Sequence, residues 1–176
     1  MNAKFFFSTK SILALLLAAS FLVTAALFVY TQMDNLINVD LYRYGLQFNE
    51  LWASDYWYSY SFFLSSIECS LLLVAATFVV TYAHSRGKSA LSRWTWIFLP
   101  IAAVGFVLLS NYFVLRIDSI VNITLYKHGL QLESSWINNY YGITRTTLTL
   151  TTVAIAIFIG SSIITWVATT WKMKTA

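Results

Sequence analysis

Charged residues, cysteine and proline are all scarce in this chain. Only 10% of its 176 residues are charged, and it has one proline and one cysteine. A soluble domain has about a quarter of its residues charged. The low charge, together with 59% hydrophobic residues and a mean hydropathy of +0.67, indicates a protein dissolved in lipid. A single cysteine, Cys69, excludes an intrachain disulfide framework and a cysteine metal cluster.

Histidine is almost as scarce, and the sequence shows no catalytic motif. The two histidines, His84 and His128, fall on opposite sides of the membrane in the topology predicted below, so we expect no bis-histidine haem and no metal site within the chain. No glycine-rich phosphate loop or nucleophile elbow is present. The net charge of +4 comes from cations at the ends of apolar runs rather than in a patch, which argues against nucleic acid. We predict no cofactor and no catalytic residue.

Four apolar runs are long enough to cross a bilayer. The hydrocarbon core is about 30 Å thick and needs about 20 predominantly apolar residues of helix. The runs are residues 11–30, 62–82, 94–115 and 148–168. The first run is longer than the apolar region of a typical signal peptide, so we expect it to be retained. The sequence therefore predicts an all-α integral membrane protein with four transmembrane helices.

Basic residues near the helix ends predict the orientation, because Lys and Arg are preferentially retained on the cytoplasmic side. The two long loops mix four cations with six acids. The N-terminus, the turn between the second and third helices, and the C-terminus carry no acid. Their cations are Lys4, Lys10, Arg86, Lys88, Arg93, Lys172 and Lys174. We therefore predict a multi-pass protein of the cell membrane with both termini cytoplasmic.

The two long loops match each other without a gap, which indicates an internal duplication. Residues 34–58 align with residues 118–142 at a constant offset of 84. The prediction is two tandem helix-loop-helix repeats, residues 1–84 and 94–176, joined by a cytoplasmic turn at 85–93. Their pseudo-twofold axis should run along the membrane normal. The nine identical pairs are Asp34/Asp118, Asn38/Asn122, Leu41/Leu125, Tyr42/Tyr126, Gly45/Gly129, Leu46/Leu130, Gln47/Gln131, Trp52/Trp136 and Tyr56/Tyr140.

The residues that follow Asn38 and Asn122 alternate in polarity, a pattern typical of a half-buried strand. Each run ends at a glycine, Gly45 or Gly129, which fits a turn or a bulge. We therefore expect short strand-like extracytoplasmic loops, after which the helices resume near residues 49 and 133.

Asn122 also begins the triplet Asn-Ile-Thr, which is an N-glycosylation sequon on the predicted outer side. The asparagine is available for glycosylation only if the predicted strand is exposed.

Residues retained in both loops predict a partner-binding surface. Tyrosine and glutamine suit a contact that is partly apolar but also needs hydrogen bonds. Two alternatives stay open: the tyrosines and glutamines can hold the two loops to each other, and the tryptophans can anchor the loops at the membrane interface. The predicted partner-binding residues are Tyr42, Gly45, Gln47, Trp52, Tyr126, Gly129, Gln131 and Trp136.

Glu68 is the one acidic residue within the apolar runs, about six residues or roughly 9 Å from the predicted interface. An ionisable group at this depth is costly and marks a candidate functional site. Glu68 shares a predicted polar stripe with Ser61, Ser65 and Cys69, which we expect to face the bundle interior. It can couple proton or cation movement, or it can join helices as a protonated, hydrogen-bonded residue. The repeat counterpart, Thr152, is not acidic, which favours the second role.

These features favour a non-catalytic tetraspan membrane subunit or scaffold whose duplicated outer loops contact a partner. The partner is expected to be another membrane-protein subunit, an external envelope protein or a further copy of the chain. One alternative is a small ion-coupled or proton-coupled transporter or channel that uses Glu68. Another is an accessory subunit of a membrane oxidoreductase or metalloenzyme, with His128 as the best donor.

Overall fold

The computed structural model describes residues 9–40, 50–85, 95–127 and 134–174, which form four long helices. Helix α1 spans Thr9–Asn35 and continues as a five-residue π-helical segment, Leu36–Asp40. Helices α2, α3 and α4 span Glu50–Ser85, Thr95–Lys127 and Ser134–Lys174. All four are long and apolar enough to cross a membrane, which confirms the prediction of four membrane-spanning helices.

The helices continue beyond the apolar runs, and the predicted strands are wrong where the structure describes them. Residues 36–40 and 118–127 are helical, and the described part of the chain contains no strand. Ile37 and Val121 lie one turn beyond the buried Met33 and Ile117 and are themselves fully buried, so the apolar stripe of each helix simply continues. The rest of both loops, residues 41–49 and 128–133, lies outside the described residues.

Buried residues recur along each helix at alternating spacings of three and four, the spacing of a left-handed helical bundle. In α1 the buried series is Leu16, Ala19, Val23, Ala26, Tyr30, Met33 and Ile37. Adding 84 to each number gives a series in α3 that is also buried throughout: Pro100, Ala103, Val107, Ser110, Val114, Ile117 and Val121.

Helices α2 and α4 show the same correspondence. The buried series in α2 is Tyr56, Tyr60, Phe63, Ile67, Ser70, Val74, Thr77 and Thr81. The positions 84 residues later are all buried in α4: Tyr140, Thr144, Thr147, Thr151, Ala154, Phe158, Ser161 and Thr165. A series with spacings of three and four repeats every seven residues, and 84 is a multiple of seven, so this correspondence shows that the helices of each pair share one phase of burial.

The most extensive helix contacts are α1 against α4 and α2 against α3, whereas α1 with α2 and α3 with α4 contact each other less. Hydrogen bonds also link helices within the described part of the core. Ser70 donates to the carbonyl of Ala103 at 3.2 Å, and Thr151 donates to Asn111 Oδ1 at 2.6 Å. Other buried hydroxyls, such as that of Thr77, donate to a carbonyl in their own helix. Each helix of the first half, α1 and α2, therefore packs more extensively against a helix of the second half than against its neighbour in the same half.

Candidate functional site

Two matched hydrogen bonds lie at the loop end of the bundle, which we define as the end where α1 and α3 finish and α2 and α4 begin. Tyr56 donates to Asp34 Oδ1 at 3.1 Å, and Tyr140 donates to Asp118 Oδ1 at 2.7 Å. Both bonds span 22 residues, and their members differ by 84 in number. We call these two bonds the Asp-Tyr latches. Each one closes a helix pair, α1 with α2 or α3 with α4, whose packing is less extensive.

Aromatic rings surround both latches. Tyr56 and Tyr140 are 1% and 2% exposed. Tyr140 stacks on Trp136 with ring centroids 5.4 Å apart and planes 8° apart, and Tyr56 stacks on Tyr60 at 6.0 Å. The rings bury both hydroxyls and hold them beside carboxylates that are themselves half-buried.

The two latches differ in how a neighbouring asparagine is used. The Asn38 amide donates to the same oxygen of Asp34 that accepts from Tyr56. Asn122 instead accepts a bond of 3.3 Å from Tyr141. Asp34 therefore accepts a second hydrogen bond, which comes from Asn38. Among the described residues, Asn122 makes no such bond to Asp118.

Tyr30 lies between the two latches. It is 1% exposed, its ring packs 4.2 Å from that of Phe63, and it is close enough to Asp118 and Tyr60 to interact with them electrostatically. Its hydroxyl has no hydrogen-bond partner among the described residues. The same holds for Ser59 Oγ, Trp136 Nε1 and Thr147 Oγ1. Tyr30 therefore keeps unused hydrogen-bonding capacity near the loop end.

Few of the predicted partner-binding residues can be placed by their side chains. Trp136 is 5% exposed and stacked on Tyr140, so it belongs to the packing of the bundle rather than to an exposed surface. Trp52 and Tyr126 lie within α2 and α3. Outside the described residues are Tyr42, Gly45, Gln47, Gly129 and Gln131.

Asn122 lies in α3 and is only partly exposed, with its side chain bonded to Tyr141. The exposed strand on which its glycosylation depends is therefore not formed at this position.

Glu68 faces outward from the bundle, opposite to the predicted direction. Ser61 and Ser65 on the same stripe are also exposed, and Cys69 is half-buried. The inward hydroxyls of α2 come from a different stripe, which includes Ser66 and Ser70. The prediction failed because α2 carries polar residues on two faces, and the large apolar residues decide which face is buried.

An open groove between α3 and α4 near the loop end was not predicted. Its volume is about 550 Å³, and it carries one cation, Arg145, and one carboxylate, Asp118. Arg145 has no basic counterpart 84 residues earlier, where the residue is Ser61. The groove is lined by Leu115, Asp118, Tyr141, Thr144, Arg145, Leu148, Thr149, Thr152 and Val153.

Within the described residues, no group of three or more His, Cys, Asp or Glu side chains is placed to hold a metal ion. No protein-family model matches the chain, and comparisons with curated proteins and with solved structures gave no match. Any statement about function therefore depends on the geometry of the chain itself.

Proposed function

We propose that this chain is a non-catalytic tetraspan subunit of a larger membrane complex. The observation that carries the proposal is the outward position of Glu68. It lies six residues inside the apolar run 62–82 (68 − 62), or roughly 9 Å at 1.5 Å per residue. A charged residue costs about 2.5–3.5 kcal/mol at the centre of a membrane helix and less towards the interface, and ionisable residues within membrane helices almost always face protein or water. A polar surface of another subunit would remove most of that cost for Glu68.

The face around Glu68 is suited to a second helix. Exposed residues recur along it at alternating spacings of three and four, which is how helices pack in left-handed pairs. Serines next to Glu68 allow close approach and supply hydroxyls. The series is Tyr58, Ser61, Ser65, Glu68, Leu72 and Ala75. The partner expected here is a membrane helix that presents a hydrogen-bond donor level with Glu68.

The outer loops form the second contact surface in this proposal. A duplication explains why the two latches share the offset of 84 found in the loops. The latches fix the base of each loop, and the proposed contact residues include Tyr42 in the first loop and Tyr126 near the end of α3. With both termini cytoplasmic, this surface is directed outside the cell membrane.

Cross-linking in native membranes tests the Glu68 face. In a Cys69→Ser background, a photoreactive thiol reagent is attached at Ser65→Cys, on the proposed face, or at Phe21→Cys, which is 73% exposed on α1. We expect an adduct of discrete mass from Ser65→Cys and none from Phe21→Cys. An adduct of twice the chain mass identifies a second copy as the partner. Lipid-only labelling from both positions contradicts the proposal.

A transporter or channel is the second candidate, and the same observation bears on it. Because Glu68 faces outward, a transport path that uses it would lie between subunits rather than through the bundle core. Proton-dependent flux in proteoliposomes that disappears in Glu68→Gln would favour this function over a purely structural subunit.

A further inference from the structure

The groove between α3 and α4 combines two opposite charges with an aliphatic wall. Arg145 and Asp118 line it together with Leu115, Leu148 and Val153. Its volume of about 550 Å³ lies within the range of about 300–1,000 Å³ typical of small-molecule sites. Arg145 is exposed and Asp118 is half-buried, so both charges can be reached from the side of the bundle.

The position of the charges along the helices matches the bilayer interface. The apolar runs end at Leu115 in α3 and begin at Leu148 in α4. Asp118 is three residues beyond Leu115 (118 − 115), and Arg145 is three residues before Leu148 (148 − 145). At 1.5 Å per residue each charge lies roughly 4.5 Å outside the apolar run. The charges are therefore at the level of lipid headgroups, and the aliphatic residues are at the level of acyl chains.

We propose that this groove binds one phospholipid whose headgroup carries both a phosphate and a primary ammonium, as phosphatidylethanolamine does. The Arg145 guanidinium forms paired hydrogen bonds with the phosphate. Asp118 accepts a hydrogen bond from the ammonium while its Oδ1 keeps the bond from Tyr140. An acyl chain packs along Leu115, Leu148 and Val153.

The same chemistry disfavours other common headgroups. A choline headgroup has no N–H to donate to Asp118. A glycerol headgroup has no cation. The Asp118 carboxylate would then lie next to the negatively charged phosphate and would have no positive group of the lipid to pair with. Serine adds a second carboxylate, which would repel Asp118.

The repeat supplies an internal control. The counterparts of Asp118 and Arg145 are Asp34 and Ser61, so the first half of the chain has the carboxylate without the cation. We therefore expect one such lipid site per chain, on the α3–α4 side.

The test uses the full chain, purified in detergent and incubated with phosphatidylethanolamine, phosphatidylcholine or phosphatidylglycerol of identical acyl chains. Native mass spectrometry counts bound lipid, and thermal unfolding reports stabilisation. The wild-type chain should retain one phosphatidylethanolamine in preference to the other two lipids. Arg145→Gln and Asp118→Asn should each weaken this binding at least tenfold, whereas Asp34→Asn and Arg116→Gln should leave it unchanged. Asp118→Asn keeps an acceptor for Tyr140, so loss of charge is separated from loss of the latch.

Val153→Trp provides a second route if a charge variant does not fold. It fills the groove at a position that is already 44% exposed and alters neither charge, so it should also displace the lipid. Equal retention of the three lipids overturns the proposal. So does preference for phosphatidylglycerol, which would show that Arg145 acts alone. Binding that survives Arg145→Gln or Val153→Trp, or that falls as much in Asp34→Asn as in Asp118→Asn, also overturns it.

Discussion

Tyr140→Phe should destabilise the bundle more than any other tyrosine-to-phenylalanine change at the loop end. The substitution removes one hydroxyl and keeps the ring that stacks on Trp136. The bond it removes is 2.7 Å long and joins a phenol to a carboxylate. Hydrogen bonds to charged groups contribute about 1.5–3 kcal/mol net. Because Asp118 is half-buried and lines an open groove, solvent partly replaces the lost donor, and we expect about 1.5–2 kcal/mol.

Two matched variants turn this value into a ranked test. Tyr56→Phe removes a longer bond of 3.1 Å, and Asp34 still accepts from Asn38, so the expected loss is about 0.5–1.5 kcal/mol. Tyr141→Phe removes an exposed bond of 3.3 Å, and its effect should stay within about 0.5 kcal/mol.

The measurement is reversible unfolding from mixed micelles by titration with a denaturing detergent, followed by circular dichroism. A loss of 1.4 kcal/mol corresponds to about a tenfold change in the unfolding equilibrium constant, which this assay resolves. The latch account requires the order Tyr140 > Tyr56 > Tyr141. An effect of Tyr141→Phe equal to that of Tyr140→Phe would show that the hydroxyls contribute nothing specific.

Two further predictions concern the loops. Cysteines introduced at Ser54 and Asn138 should react with a membrane-impermeant thiol reagent in intact cells, and one at Ser89 should not; the reverse pattern would refute the orientation. Tyr42→Ala combined with Tyr126→Ala should leave the stability of the solubilised chain nearly unchanged and abolish co-purification of its partner. If the double variant is destabilised while its partner still binds, the two tyrosines hold the loops together instead.

The membrane helices were predictable because about 20 apolar residues in lipid have few alternatives to a helix. The loops were harder to predict, because a short segment can satisfy two periodicities at once. Ile37 and Val121 come directly before the predicted strands and extend their alternation by one apolar residue, yet they also continue the buried stripes of α1 and α3, and the helix prevails. A helix needs no neighbouring strand to satisfy its backbone groups, whereas a strand does.

The direction of Glu68 failed for a different reason. Sequence alone shows that α2 has polar residues on two faces but does not show which face other helices cover. That choice depends on residues such as Phe63 and Ile67, which are 0% exposed because α1 and α3 pack against that side.

The latches could have been found from the sequence. The nine identical pairs include Asp34/Asp118 and Tyr56/Tyr140, and the Asp-to-Tyr separation is 22 residues in both of the matching segments. An acid retained near the end of one helix and a tyrosine near the start of the next are suited to bond across the helix pair. The groove could not have been found in this way, because it depends on Arg145, which departs from the repeat.

Mass measurement after gentle extraction from native membranes tests the central claim, that this chain is a subunit of a larger complex, most directly. Wild type and Glu68→Leu are compared, with Phe21→Leu on the outer face of α1 as the control. The proposal predicts that the wild-type and control chains run in a complex of discrete mass well above the 20.0 kDa of the chain, and that Glu68→Leu is released from it. A wild-type chain that is extracted alone, or a complex that Glu68→Leu leaves intact, would contradict the account.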